Sequence, residues 1–289
     1  MKLHGSRSLS GIIICLTLLH VGPAFGHQPL LMKQFDRLSQ SQAAAGKVLY
    51  YGGPVLGNVK VYTIFWSAAV DTSIQKMIVP FYQALATSSY LDQLSEYQTH
   101  VPAVDGRAGS GQSIGRGSYA GTITIAPKNT SASLTQSDIE KELDYQIDQG
   151  TMPAPDANTL FMIHFPSATT LTISFGVSCQ VWFADHEVYQ SAKHGPIAYA
   201  MMPCENTAEA FSSLTTAASH EFAEAVTDPF CPLANQPVAY PAGWIAADQN
   251  EIGDLCAWQE AKLTSGTTVY TVQQEWSNAQ GACAGTDYR

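Results

Sequence analysis

His220, Glu221 and Glu224 stand at the spacing H-E-x-x-E within residues 219–229, SHEFAEAVTDP. On a helix advancing about 100° per residue, His220, Glu224 and Asp228 fall within about 80° of one another. In zinc hydrolases the pattern H-E-x-x-H puts two imidazoles on the metal and makes the first Glu the general base. Here Glu224 takes the place of the second imidazole. A carboxylate still ligates zinc, but it is harder and charged, which loosens the choice of metal. The expected roles are therefore ligands for His220 and Glu224, and deprotonation of bound water for Glu221. The competing reading is an amphipathic helix with a solvated acidic face, Phe222, Ala225 and Val226 turned inward and Pro229 ending the run.

Two ligands on one helix do not close a zinc site, so a third must come from another element. Residues 243–254 bring Asp248, Glu251 and Asp254 close together in sequence. Glu251 is the expected third ligand, because the nearby Gly253 lets backbone approach the metal. Asp254 then supports it or ligates in its place. A carboxylate-rich turn also suits calcium, yet calcium alone leaves His220 without a role, so zinc is the expected cation, with calcium instead or in addition. His186 lies in the aromatic-rich stretch 182–189 and is a candidate oxyanion-stabilising group or additional ligand, against the plainer reading of a structural histidine.

Three further patterns carry less. Gly111-Gln112-Ser113-Ile114-Gly115 matches G-x-S-x-G, but neither a buried strand before it nor a helix after it is expected. His27, at the expected new N-terminus, raises a copper-chelating histidine brace that nothing else in the sequence supports. Asn129-Thr130-Ser131 is an N-glycosylation acceptor in a eukaryotic host.

The site needs a compartment. Lys2 and Arg7 precede an apolar core over residues 12–19, and Ala24-Phe25-Gly26 ends in small residues, the pattern of a cleaved secretory signal at 1–26. That core is too short for a membrane span, and no later segment is long and apolar enough to be one. The formal net charge of −10 becomes −12 once Lys2 and Arg7 are removed, since residues 1–26 hold no acid. An acidic chain poor in Lys and Arg is a poor partner for nucleic acid or anionic membrane. Expected partners are an extracellular peptide, protein or cell-wall component, in an extracellular or periplasmic setting. Of six cysteines, Cys15 leaves with the signal. Cys179, Cys204, Cys231, Cys256 and Cys283 remain, enough for two disulfides and one spare thiol of undetermined connectivity.

The elements that must position these groups follow from periodicity. After a polar lead (residues 27–46), residues 59–66 alternate as a strand. Residues 71–94 repeat near 3.6, with Pro80 expected to break or kink them. Strands are expected at 121–126, 160–165, 171–175, 197–202 and 267–272, and helices at 135–149 and from about Ser212 through the H-E-x-x-E motif. This order predicts an α/β fold. We expect a single zincin-like domain over residues 47–289, with a mixed twisted sheet, a metal-site helix and a disulfide-containing C-terminal part.

Several blocks then resemble one family. Residues 51–56 (YGGPVL) with 59–62 (VKVY), residues 219–221 through 228–229, and residues 251–258 (EIGDLCAW) are similar to the exordium, or phosphate-induced, family of secreted proteins. The block from Cys179 through His186 to Cys204 is similar too, less closely. The resemblance spans about Tyr51 to Trp258 in the right order. It implies an extracellular protein, associated in plants with the cell wall and growth responses, and it implies no settled reaction. The residues themselves predict a secreted, zinc-dependent hydrolase of peptide bonds; the alternative is a non-catalytic extracellular or wall-associated binding protein with a structural metal.

Overall fold

The computed structural model describes residues 29–31, 47–204, 206–230 and 237–289. The expected signal at 1–26, His27, Cys231 and all of the polar lead except Pro29, Leu30 and Leu31 lie outside the described residues. A six-stranded mixed sheet organises the chain. In chain order its strands are β1 (Leu30–Leu31), β2 (Lys60–Phe65), β3 (Ser118–Thr124), β4 (Thr159–His164), β5 (Trp182–Ser191) and β6 (Gly195–Met202). Their spatial order is β1-β5-β6-β4-β2-β3. The four strands β6, β4, β2 and β3 run parallel, while β5 is antiparallel to β6 and β1 antiparallel to β5.

Helices cover both faces, as a parallel sheet requires. The helices α1 (Thr72–Thr87) and α3 (Phe211–Thr227) lie on one face, and α2 (Gln136–Asp148) on the other. The period-2 alternation of β6 sorts its side chains between them. Ala198, Ala200 and Met202 join the core under α1 and α3, whereas Ile197, Tyr199 and Met201 join the core under α2. A C-terminal annex adds the hairpin β7 (Glu260–Ser265) and β8 (Thr268–Gln273), then β9 (Glu275–Ser277) and β10 (Ala282–Ala284).

Several local outcomes differ from the sequence reading. Pro80 lies inside α1, which runs on to Thr87. Pro80 is exposed, while Ile74, Ile78, Phe81 and Leu85 are fully buried. Packing of that apolar stripe therefore outweighs the one hydrogen bond that proline cannot donate. The chain leaves the helix at Asp228, whose backbone (φ −142°, ψ 70°) is not helical, so Asp228 does not continue the face of His220 and Glu224. The strand β5 is not legible from periodicity, because a ten-residue strand carrying Asp185, His186, Glu187 and Gln190 lacks simple alternation.

Two disulfides close within the C-terminal half, Cys179–Cys204 and Cys256–Cys283. Bonds of this kind belong to oxidising compartments. No helix among the described residues is long and apolar enough to cross a membrane. The architecture is α/β with a mixed sheet.

Candidate metal centre

The helix α3 is buried along its whole second half, so its polar residues face protein on every side. His220, Glu221 and Glu224 are each 0% exposed. The amphipathic reading with a solvated acidic face is thus set aside. Beneath α3 lies β5, where His186 pairs across the ladder with Ala200 and so shares its face, the one turned toward α3. From the other side comes the turn that carries Glu251, Gly253 and Asp254. Gly253 is there because nothing larger fits: a Cβ at this position would lie 2.6 Å from His220 Nδ1 and 2.8 Å from Glu224 Oε1. Asp254 shapes the turn by accepting the Glu251 N–H at 2.9 Å, and its own N–H donates to Glu224 Oε1 at 3.0 Å.

The expected ligands converge, but in two groups, and Glu251 groups with His186 rather than with His220. His220, Glu224 and Asp254 form one triad, and His186, Glu224 and Glu251 form the other, with ligand atoms in each within 4.8 Å of one another. Glu224 belongs to both. Its Oε2 lies 3.1 Å from His220 Nε2 and 3.7 Å from His186 Nδ1. Glu251 Oε1 lies 3.8 Å from His186 Nε2, and Asp254 Oδ1 lies 3.9 Å from His220 Nε2. Glu221 is in neither triad, yet it spans the two imidazoles. Its Oε2 is 3.2 Å from His186 Nδ1 and its Oε1 is 3.9 Å from His220 Nε2. Asp228 turns away and accepts the Gly243 N–H at 2.6 Å. Asp248 is exposed.

The donor set fits a divalent cation. Mixed imidazole and carboxylate ligands suit zinc or manganese better than the all-oxygen shell of calcium. Two fully buried atoms, His220 Nε2 and Glu224 Oε2, have no hydrogen-bond partner of acceptable geometry although they face each other. Buried polar atoms left in this state are costly unless something fills the space between them. Burial lowers the proton affinity of His220, but Glu224, Glu221 and Asp254 together outweigh it and raise its pKa well above the ordinary histidine value.

The two histidines differ in how their second nitrogens are held. His186 Nδ1 faces the Glu221 and Glu224 carboxylates, while Nε2 is turned toward Glu251 and, at 3.4 Å, the Asp228 carbonyl. That is the carboxylate–histidine arrangement that orients metal ligands. His220 Nδ1 instead meets Gln273, a residue at the end of β8 that the sequence reading missed. Gln273 Oε1 accepts the Trp258 N–H at 2.8 Å, and its Nε2 donates to the Gly253 carbonyl at 3.0 Å. Both backbone partners fix the amide, so its remaining N–H points at His220 Nδ1, 2.7 Å away. In the neutral ring the proton then sits on Nε2, facing Glu224. A cation at His220 requires that proton to leave.

Glu275 was also missed. It is 1% exposed, and its Oε1 accepts the Tyr90 O–H at 2.6 Å. Burial and the nearby Glu224 and Asp254 hold its pKa well above the usual carboxylate range, with His220 opposing them. Neither Gln273 nor Glu275 carries any local signal; both sit in an ordinary strand sequence 53 and 55 positions beyond His220.

An apolar cavity of about 220 Å³ is lined by Pro54, Leu56, Val188, Ala198, Pro229 and Phe230 among others, and by none of the six site residues. Val188 lies two residues along β5 from His186, on the same face, and Pro229 follows Asp228 in the chain.

No family model matches this chain, no curated protein matches it, and no solved structure matches its fold.

Proposed function

We propose that this is a secreted, exordium-like metalloprotein, zincin-like in the use of its helix, whose buried centre carries out metal-assisted hydrolysis of peptide bonds. The observation that carries the reading is the position of Glu221. It stays out of both ligand triads while its two oxygens lie within 4 Å of His186 and His220. A divalent cation held by these triads would polarise a substrate carbonyl and acidify a bound water. Glu221 is placed to hold the proton that such a water gives up, at Oε1, and to pass it on to a leaving group. His186, kept in place by Glu221 Oε2, would serve as a ligand rather than as a donor to developing negative charge. The cavity lined by Val188 has room for one large apolar side chain of a substrate. Peptides are the first substrates to test because the site helix packs on an extended strand, β5.

A second reading has its own observation: His220, Glu221, Glu224 and Glu251 are all 0% exposed. That enclosure suits a structural cation in an extracellular binding protein. Glu221→Gln separates the two. It keeps an oxygen toward His186 and removes the base. The hydrolytic reading expects retained metal, an unchanged Tm, and peptide hydrolysis reduced by about 10²–10⁴-fold. Equal hydrolysis by the variant and the unaltered protein would reject catalysis and leave the structural role.

A further inference from the structure

We infer that the cluster holds two divalent cations bridged by Glu224 rather than one, an inference that rests on the cation-binding reading above and adds its stoichiometry. The argument begins with reach. An ion with ligand bonds of about 2.0–2.2 Å can join ligand atoms up to about 4.4 Å apart. Each triad is close to this size, with its ligand atoms within 4.8 Å of one another, and the five residues group as two such triads rather than as one set of five. An ion in either triad therefore leaves the imidazole and the second carboxylate of the other outside its coordination.

The triads meet at one atom. Glu224 Oε2 lies between imidazoles from two different elements, 3.1 Å from His220 Nε2 on its own helix and 3.7 Å from His186 Nδ1 on β5. Its partner oxygen, Oε1, is already fixed by the Asp254 N–H at 3.0 Å and by the close approach of Gly253. The carboxylate is thus held in one orientation with Oε2 directed at both groups. Oε2 and His220 Nε2 are buried, with no hydrogen-bond partner among the described residues. A shared carboxylate is the usual link between paired ions about 3.5–4 Å apart. The two halves also offer the same donors, one imidazole, one carboxylate of their own and the shared one. Matched donor sets select the same kind of ion, with zinc or manganese the suitable choices.

The test uses the intact chain, stripped of metal and dialysed against zinc or manganese, with metal measured by mass spectrometry and manganese also followed by electron paramagnetic resonance. Two ions per chain, with manganese giving the spin-coupled spectrum of an adjacent pair, is the expected result. One ion with the six-line spectrum of isolated manganese overturns the pair and leaves the cation-binding reading standing. Two uncoupled ions overturn the bridge. No bound ion overturns both. Among variants, Glu251→Gln and Asp254→Asn should each bring the count from two to one, and Glu224→Gln should remove both. Since the measurement on the unaltered chain decides the matter, a variant that fails to fold does not.

Discussion

Gly253 and Gln273 set the quality of the centre without offering a ligand atom in either triad. Adding a methyl group at Gly253 would drive it against His220 Nδ1 and Glu224 Oε1. Gly253→Ala should therefore lower stability by about 1–3 kcal/mol, the usual cost of forcing extra volume into a packed interior. It should weaken cation binding as well, checked by denaturant melts and a competitive zinc titration. Gln273 presents an N–H to His220 Nδ1, the wrong polarity for a ring that must ligate through Nε2. Gln273→Glu would put an acceptor there, still take the Trp258 N–H, and lose the bond to the Gly253 carbonyl. We expect tighter zinc binding by about 10–100-fold, the range over which such outer partners act, together with a lower Tm without metal. Unchanged or weaker zinc affinity in a folded Gln273→Glu protein would show that His220 is not a ligand.

At the scale of elements, α1 and the metal-bearing turn make opposite uses of constraint. Pro80 sits exposed within a helix whose buried stripe holds it together. Replacing it by Ala restores a backbone donor and removes a residue about 3 kcal/mol poorer than Ala in a helix interior, offset in part by a looser unfolded chain. Pro80→Ala should stabilise the protein by about 1–2 kcal/mol without altering metal content; a lower Tm would mean the helix depends on its proline. The short turn Asp254–Cys256, by contrast, is tied down covalently through Cys256–Cys283. The two disulfides enclose similar lengths of chain, with separations of 25 and 27 residues, so removing either should cost a similar 2–5 kcal/mol or so. Only loss of Cys256–Cys283 loosens the turn that carries Asp254. Paired Cys→Ser variants should thus melt alike while differing in zinc affinity, and equal affinities would refute the coupling.

For the molecule as a whole, acid sensitivity has an identifiable source away from the metal centre. His164 ends β4 and is fully buried, with Nδ1 facing Asn206 Oδ1 at 3.2 Å and Nε2 facing the Tyr82 hydroxyl at 3.0 Å. Burial pushes its pKa down from 6.5 to about 4, the Asn206 contact opposing only in part. Because the folded value lies below the unfolded one, the unfolded chain takes up the proton first. Stability should fall as pH drops from about 6.5 to about 4, by about 3 kcal/mol from this residue alone. His164→Gln should be less stable at pH 7, where its bonds are disturbed, but should lose less on going to pH 4. Denaturant melts across that range check it, and parallel losses in the two proteins would remove His164 as the source.

How much of this could be read from the chain depended on the range of the interactions involved. The H-E-x-x-E spacing, the periodicity of α1 and α2, and the acids around Glu251 are local patterns, and local geometry turns them into helices and a turn without reference to the rest of the fold. The Thr135 capping box that opens α2 is local in the same way. Which acids meet which histidine is not local. Glu251 meets His186 and Asp254 meets His220 because β5 runs under α3 while the turn at 251–254 packs from another side, a juxtaposition of segments 34 to 65 residues apart. Residues such as Gln273 acquire a role only when a strand end is delivered to an imidazole, and no propensity or spacing records that delivery. Pro80 makes the same point from the other direction: its residue type argues for a break, and the buried stripe around it decides for a helix. Sequence alone determined the kinds of donor and the elements that bear them; tertiary packing decided their partners, because contacts between distant segments are set by how whole faces bury against one another.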